Sequence, residues 1–273
     1  MSPTEVMRFE PLLEGVLKRR WKRFLAEVEL DDGQLVTAHC ANTGPMIGVL
    51  HPGQRVRLRY DPSPKRKLAY TWEQAEVPAA GGGSCWAGVN TALPNKLLRA
   101  TIESGLLEPW LGQVASIRAE VPYGKERRSR IDLLLTPAAD ASDSRPIYVE
   151  IKNTTWSNDS VGLFPDTVTE RGQKHLNELM GVLSEARAVL LPCVSRNDVE
   201  VFAPGDSADP RYGELFRQAV AAGVEVHYYA TSDLAGVIAA AGAIYHNYSS
   251  DEWSLKECAL AGCARLKCEP SEE

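Results

Sequence analysis

The first 77 residues alternate between apolar and polar positions in short runs, a pattern typical of β-strands that bury one face. Arg55–Tyr60 shows the alternation most clearly, because Val56, Leu58 and Tyr60 fall on one face. The predicted strands are Leu12–Val16, Phe24–Leu30, Leu35–Cys40, Arg55–Tyr60 and Leu68–Val77. About five short strands in so short a segment predict a small β-barrel of the OB type.

A Gly-rich segment, Pro78–Ser84, follows these strands, and we predict that it is a flexible break between two domains. From residue 85 onward the pattern reads β-α-β-β-β-α-β-β-α-β, which predicts a mixed sheet flanked by helices. Within this region, Asn153–Pro165 is predicted to be a long polar loop. Thr167 and Glu170 form a capping-box pattern that opens a helix running to about Arg187.

The predicted organisation has three parts. An OB-like β-barrel over residues 1–80 precedes an α/β domain with a mixed sheet over residues 81–232. Residues 233–273 form a predicted helical extension, which begins with an Ala-rich helix at Leu234–Ala243.

The composition is that of an ordinary soluble globular protein, with 44% hydrophobic and 24% charged residues. No apolar run approaches the roughly 20 residues of a membrane span, and no signal peptide is recognisable at the N-terminus. We therefore expect a cytoplasmic protein without membrane contact, whose cysteines are thiols. Cys258, Cys263 and Cys268 could bind zinc or an iron–sulfur cluster together with Cys85 or Cys193. Their spacing lacks the close Cys-x₂-Cys pair, so an ordinary packed tail is the alternative.

Two neighbouring predicted strands carry isolated charges in apolar runs: Arg130–Leu135 contains Asp132, and Ile147–Lys152 contains Glu150 and ends at Lys152. Charged groups are almost never fully buried unless they are paired or bind a metal. Carboxylates hold Mg²⁺, and a lysine can stabilise an attacking water or the developing phosphorane charge, so this set suits metal-assisted phosphodiester cleavage. The alternative is a salt bridge of the lysine with one of the carboxylates, which needs no metal.

The pattern Asp132…Glu150-x-Lys152 resembles the PD-(D/E)XK nuclease superfamily. The resemblance implies that these three residues are catalytic and that Asp132 and Glu150 bind Mg²⁺ or Mn²⁺. It also implies a third acidic ligand on a helix, for which Glu103 is the candidate. Ile131 stands where the superfamily signature has Pro, a position without a chemical role.

Charge is distributed unevenly along the chain. Residues 1–70 contain 12 Lys and Arg against 8 Asp and Glu, a net charge of +4, whereas the remaining residues carry −10. This asymmetry indicates an anionic partner for the N-terminal part. The predicted barrel contains two basic clusters, Lys18–Phe24 and Lys65–Lys67, with aromatic residues in or close to them that can stack on bases. The alternative is a solvated hairpin whose aromatic residues are buried in the barrel. The residues predicted to contact DNA are Arg19, Arg20, Lys22, Arg23, Lys65, Arg66, Lys67, Arg127, Arg128, Arg130, Gln173 and Lys174.

Several ordered motifs extend the resemblance over residues 8–230. They are Lys22–Ala26, His39–Gly44, Thr71–Glu73, Val89–Thr91, Tyr123–Asp132, Glu150–Lys152 and Phe164–His175. Through them the chain resembles the sugar fermentation stimulation protein family of bacteria and archaea. The resemblance implies an N-terminal OB-type domain paired with a PD-(D/E)XK-like domain, non-specific DNA binding, and a regulatory role in sugar (maltose) metabolism.

Two functions follow from this resemblance. The first is a DNA-binding protein that is also a Mg²⁺-dependent nuclease. The second is a DNA-binding regulator in which the nuclease-like sheet is a scaffold. A small non-nucleic substrate is disfavoured, because the sequence contains no cofactor fingerprint, Walker-type loop or nucleophile elbow. The sequence does not define the oligomeric state, for which a homodimer is one option.

Overall fold

The computed structural model of the protein describes residues 5–8, 11–234, 237–249 and 252–255, with the backbone alone for Glu5 and from Tyr228 onward. The strands are β1 (Glu5–Arg8), β2 (Leu13–Trp21), β3 (Leu25–Leu30), β4 (Leu35–His39), β5 (Arg55–Tyr60), β6 (Tyr70–Pro78), β7 (Ser84–Gly88), β8 (Val114–Tyr123), β9 (Ser129–Pro137), β10 (Ile147–Thr154), β11 (Trp156–Asn158), β12 (Val161–Phe164), β13 (Arg187–Val194), β14 (Val201–Pro204), β15 (Glu225–Leu234), β16 (Val237–Ser249) and β17 (Glu252–Leu255). The α-helices are α1 (Leu93–Glu103), α2 (Glu108–Leu111), α3 (Glu170–Gly181) and α4 (Pro210–Ala222).

Strands β2 to β6 form a closed barrel, which confirms the predicted OB-type fold. The strand order is β4-β3-β2-β5-β6, and a parallel pairing between β4 and β6 closes the sheet on itself. Val56 and Leu58 are fully buried inside with Trp72, as the alternation along β5 predicts. Tyr60 lies on the same face but is exposed, because it is the last residue of its strand, where it contacts the ring of Tyr70.

The Gly-rich segment between β6 and β7 is a hairpin turn rather than a flexible break. β7 pairs antiparallel with β6 from Gln74–Gly88 to Pro78–Ser84, so the sheet of the barrel continues to Gly88. Gly81, Gly82 and Gly83 all have positive φ, which explains why glycines occupy this turn. The predicted domain limits themselves stay a prediction.

The second region is a mixed sheet flanked by helices, as predicted. Its order is β1-β16-β15-β13-β10-β9-β8, with β17 paired to β16. One face packs against α1 and α2 through a cluster that contains Leu98 and Val149. The other face packs against α3, α4 and the small sheet β11-β12-β14, through a cluster that contains Leu190 and Phe216. The strand pair β9–β10 therefore lies in the middle of a three-layer arrangement.

Three local predictions in this region are wrong. The predicted loop after Lys152 contains β11 and β12, which pair through Trp156–Leu163. Helix α3 starts later than predicted, because Thr169 rather than Thr167 is the N-cap and accepts a hydrogen bond from the backbone N–H of Gly172. It also ends at Gly181, before a turn that leads into β13.

Among the described residues of the Ala-rich segment predicted as a helix, Leu234 ends β15 and Val237–Ala243 belong to strand β16. It pairs antiparallel with β15, from Leu234–Val237 to Val226–Tyr245, and it also pairs with β1. Strand pairing on both sides satisfies the backbone of this segment and outweighs the helical preference of alanine, which is weak compared with tertiary contacts. Cys258, Cys263 and Cys268 lie outside the described residues. None of the helices in the described ranges has the length and apolar character needed to span a bilayer.

Candidate functional site

The strands β9 and β10 bring Asp132, Glu150 and Lys152 together at the point where their pairing ends. The antiparallel register runs from Ile147–Leu135 to Val149–Leu133, and the same register places Asp132 opposite Glu150. At this point the backbone N–H of Ile151 donates a hydrogen bond of 2.7 Å to Oδ2 of Asp132, so a carboxylate takes the place of a backbone carbonyl as its acceptor. The predicted grouping of these residues is present in the structure.

Asp132 is half-buried and is held by two hydrogen bonds. Besides the bond from Ile151, its Oδ1 accepts one of 2.8 Å from the Asn95 side chain at the start of α1. Burial raises the pKa of Asp132 to about 6, and the nearby charge of Glu150 raises it as well. The two hydrogen bonds act in the opposite direction and lower this pKa. The two carboxylates are therefore close enough to repel each other.

Glu150 is 2% exposed, and two side chains donate to its Oε1. The Lys152 ammonium lies 2.7 Å from this oxygen, and His175 Nδ1 forms a short hydrogen bond with it. Burial alone would raise the pKa of Glu150, but the charge of Lys152 and the hydrogen bond from His175 lower it. The second oxygen, Oε2, is buried without a hydrogen-bond partner among the described residues. A buried carboxylate oxygen without a partner is costly, so a ligand that bound this atom would relieve that cost.

His175 was not among the predicted site residues, and it is 4% exposed on α3. Arg171, one turn earlier, donates to its Nε2 at 3.4 Å, which leaves the Nδ1 proton for Glu150. Gly172 allows α3 to pack closely against α4, because a Cβ at this position would lie only 3.2 Å from the ring of Tyr212 on α4. The sequence signal was its place in the Phe164–His175 motif.

The donor set fits a hard divalent cation. Asp132 and Glu150 offer carboxylate oxygens. They are two ligands rather than three, since no group of three His, Cys, Asp or Glu residues arranged for a metal occurs in the described ranges. Mg²⁺ is commonly held by one or two carboxylates, with water and phosphate oxygens completing its octahedral coordination. Two carboxylates, one with a buried unpartnered oxygen, meet that requirement.

Glu103 does not join this pair, contrary to the prediction. It is the last residue of α1, eight residues after Asn95 and therefore about 12 Å further along the helix axis. Its carboxylate is exposed and accepts a hydrogen bond of 2.9 Å from Arg99. The prediction failed because the helix approaches Asp132 with its first turn rather than its last.

Three of the residues predicted to contact DNA form hydrogen bonds within the protein instead. Arg20 donates to the backbone carbonyls of Asn42 at 2.7 Å and Gly44 at 3.0 Å. Arg66 donates to Asp61 and to Thr71 in the β5–β6 connection. The Gln173 amide donates 3.0 Å hydrogen bonds to both carboxylate oxygens of Asp209, the N-cap of α4.

Four other predicted contacts have intramolecular partners on the surface. Arg19 pairs with Glu27, Arg128 with Glu126, and Lys174 lies 3.6 Å from Glu178. An exposed ion pair such as Arg128–Glu126 contributes roughly 0–1 kcal/mol, so it exchanges easily for a phosphate. Arg130 donates to the backbone carbonyl of Glu120 at 2.8 Å. Five of the residues predicted to contact DNA remain, and all five are exposed: Lys22, Arg23, Lys65, Lys67 and Arg127.

The two basic clusters of the barrel are connected to the two strands that flank β4. His39, the last residue of β4, pairs with Leu25 of β3 and with Thr71 of β6. The hairpin tip Lys22–Arg23 immediately precedes β3, and Lys65–Lys67 lies just before β6. The segment that follows His39 includes Asn42, which lines a cleft together with Lys152. The barrel thus contributes to the wall of a cleft that also contains Lys152, the lysine that contacts Glu150.

Comparisons with known proteins agree with this architecture. Residues 19–89 match the family model described as the SfsA N-terminal OB domain, and residues 92–233 match the sugar fermentation stimulation protein RE domain. A sugar fermentation stimulation protein homolog of Synechococcus sp. (strain RCC307) is 79% identical over 83% of this chain and 90% of its own length. A homolog of Prochlorococcus marinus (strain MIT 9313) is 70% identical over 83% of this chain and 90% of its own. The solved structure of Pyrococcus furiosus SfsA in complex with Ca²⁺ is 27% identical, with a TM-score of 0.76, over 88% of this chain and 97% of that one.

Proposed function

Because this chain belongs to the sugar fermentation stimulation protein family, we propose that it binds DNA without strong sequence preference and cleaves it at a divalent-metal site formed by Asp132 and Glu150. The observation that carries this proposal is the buried, unpartnered Oε2 of Glu150, next to a second carboxylate and beside the buried ammonium of Lys152. A regulatory role in sugar (maltose) metabolism would act through the same DNA binding.

Each residue of the site has a defined task in this proposal. Asp132 and Glu150 would hold Mg²⁺ or Mn²⁺, which when bound polarises a phosphodiester and lowers the pKa of a water. Asn95 and the backbone of Ile151 orient the Asp132 carboxylate, and both bonds favour its charged, metal-binding form. The Lys152 side chain lies at the edge of the site, where it can stabilise the charge that develops on a phosphate.

The Ca²⁺ in the Pyrococcus furiosus relative supports a divalent cation in this family. Ca²⁺ and Mg²⁺ both take oxygen ligands, but Mg²⁺ demands a tighter octahedral geometry. We therefore propose Mg²⁺ or Mn²⁺ as the ion that supports cleavage.

The DNA-binding surface is proposed to be the basic surface of the barrel, to which Lys22, Arg23, Lys65 and Lys67 contribute. These side chains are exposed, and phosphate contacts of this kind carry no sequence information. Binding should weaken steeply with salt, and removal of Lys65 and Lys67 should reduce the slope of log K against log salt by about 2.

A second candidate function is a DNA-binding regulator without cleavage. The observation that favours it is the closed network in which Lys152 and His175 both donate to Glu150, because this network neutralises one carboxylate without any metal. Under this reading, the carboxylate pair is a structural element of the sheet.

Cleavage of labelled DNA in Mg²⁺ and in Mn²⁺ separates the two functions. We expect the wild type to cleave and to be stabilised against thermal unfolding by the metal. Asp132→Asn should lose both properties and still bind DNA. Glu103→Gln is the matched control, because it removes an acid that the sequence predicted for the site but that lies elsewhere. If the wild type binds DNA but neither cleaves it nor is stabilised by either metal, the regulator function stands.

A further inference from the structure

A cleft of about 210 Å³ lies between the barrel and the second sheet, and Lys152 forms part of its wall. Asn42 comes from the barrel side, and Trp156 and Phe164 come from the hairpin β11–β12. Pockets that bury drug-sized ligands measure roughly 300–1,000 Å³. The smaller volume here fits a single ring system rather than a whole nucleotide.

The aromatic walls of the cleft are held in place by packing. Trp156 lies between two glycines, since a Cβ on Gly205 would be 2.9 Å from its Cζ3 and one on Gly48 would be 3.7 Å from its Cδ1. The ring of Phe164 packs edge-on against Tyr212, with 5.4 Å between centroids. Both side chains remain half-buried at the cleft, so they offer preorganised surface for stacking a flat ring.

The polar groups of the cleft include donors without partners and an acceptor. Asn42 accepts a hydrogen bond from the backbone N–H of Gly44 through Oδ1, and its Nδ2 donates to no group in the described ranges. Asn153 likewise accepts from Ser195 through Oδ1, while its Nδ2 donates to none of the described residues. Asp166 adds to the same wall a carboxylate that also accepts from the backbone N–H groups of Met46 and Ile47. Amide donors match the carbonyl and ring-nitrogen acceptors of a nucleobase, and a carboxylate matches its N–H groups.

We propose that this cleft takes one unpaired nucleobase of a DNA strand and thereby sets the substrate class of the site. The inference rests on the proposed DNA function. Because Lys152 belongs both to the cleft wall and to the carboxylate cluster, a base in the cleft brings its own sugar–phosphate backbone to Asp132 and Glu150. A paired base is stacked and has its Watson–Crick edge occupied, so the protein prefers DNA that contains an unpaired, mismatched or terminal nucleotide. Stacking on Trp156 and Phe164 tolerates any base.

Three labelled DNAs test this proposal: a fully paired duplex, the same duplex with one extra unpaired nucleotide, and that duplex with an abasic spacer at the unpaired position. Affinities are measured by fluorescence polarisation in EDTA and again in Ca²⁺, with 2-aminopurine as the unpaired base in a second series to report its environment. We expect the unpaired base to bind about tenfold tighter than the abasic spacer, the effect of roughly one stacked base. Quenching of 2-aminopurine should accompany binding.

Two variants and a control make the test specific. Trp156→Leu should remove the tenfold difference and leave the affinity for paired duplex unchanged, whereas Trp86→Leu should preserve it, because Trp86 packs under Arg57 on the barrel, outside the cleft. Asn42→Asp keeps the oxygen that accepts from Gly44 and replaces the free donors with a charged carboxylate oxygen. The added charge weakens binding of all three DNAs, so the comparison of base with abasic spacer is made within the variant. This variant should fold normally and lose most of the difference, which decides the matter if Trp156→Leu is unstable.

The outcomes distinguish this inference from the proposed function. Equal affinity for the base and the abasic spacer, with paired duplex still bound, overturns the cleft proposal and leaves DNA binding standing. A difference that survives in both variants also overturns it. Failure to bind any of the three DNAs overturns the proposed function itself.

Discussion

Replacing Lys152 with methionine should destabilise the protein strongly, because it leaves the Glu150 carboxylate buried without its main compensating charge. Glu150 is 2% exposed and Lys152 is 8% exposed, and their charged atoms are 2.7 Å apart. Breaking a buried ion pair by removing one partner costs about 3–5 kcal/mol. His175 still donates to Glu150, so we expect a value near the lower end, about 3 kcal/mol. For a chain of this size, that loss corresponds to a decrease in Tm on the order of 10 °C.

Urea unfolding followed by circular dichroism, in EDTA, measures this loss directly. Arg99→Met is the matched control, because Arg99 forms an ion pair with Glu103 in which both side chains are about half exposed. Its removal should cost less than about 1 kcal/mol. The double variant Lys152→Met with Glu150→Gln removes the unpaired charge and should recover part of the stability lost in Lys152→Met. A Lys152→Met protein that is no less stable than Arg99→Met would refute the claim that Glu150 is a buried charge held by this lysine.

Two further predictions concern the framework around the site. Burial alone would raise the pKa of Glu225, but hydrogen bonds of 2.7 Å from Arg187 lower it to about 2, below its value in the unfolded chain. This stabilisation is present above the unfolded pKa and is lost as the pH falls toward 2. Between about pH 6 and pH 3, the free energy of unfolding measured in urea should therefore decrease by about 2 kcal/mol more in the wild type than in Glu225→Gln. Asp209→Ala should cost about 2–4 kcal/mol in the same assay, because Asp209 caps α4 at Tyr212 and also accepts a 2.8 Å bond from the backbone N–H of Thr169. Asp209→Asn retains an acceptor and should lose less; equal losses for the two variants would contradict the capping role.

Local sequence pattern was enough to predict the barrel, the central part of the large mixed sheet and the strand pair β9–β10. Successive side chains of a strand point to opposite faces, so the alternation along β5 correctly placed Val56 and Leu58 in the core. The charged residues Asp132, Glu150 and Lys152 could be assigned to neighbouring strands because each sits in an apolar run that only a buried strand explains. These inferences depend on covalent geometry, which acts over a few residues.

Local pattern failed where a distant strand was available for pairing. Pro78–Ser84 has the composition of a linker, but it is the turn of a hairpin because β7 finds an edge on β6. Leu234–Ala243 has the composition of a helix, yet its residues from Val237 onward pair with β15 and β1. In both cases the backbone hydrogen bonds come from outside the segment, so its own propensity did not decide the result.

Folding in three dimensions set the partner of each polar side chain. Arg20 resembles Lys22 in the sequence, but it is committed to carbonyl groups more than 20 residues away, whereas Lys22 is exposed at the hairpin tip. His175 reaches Glu150 across 25 residues, and Glu103 misses the site although its helix touches Asp132. A hydrogen bond requires two heavy atoms within about 3 Å of each other. Sequence periodicity defines which face a side chain occupies, but the group that lies opposite that face depends on how separate elements pack.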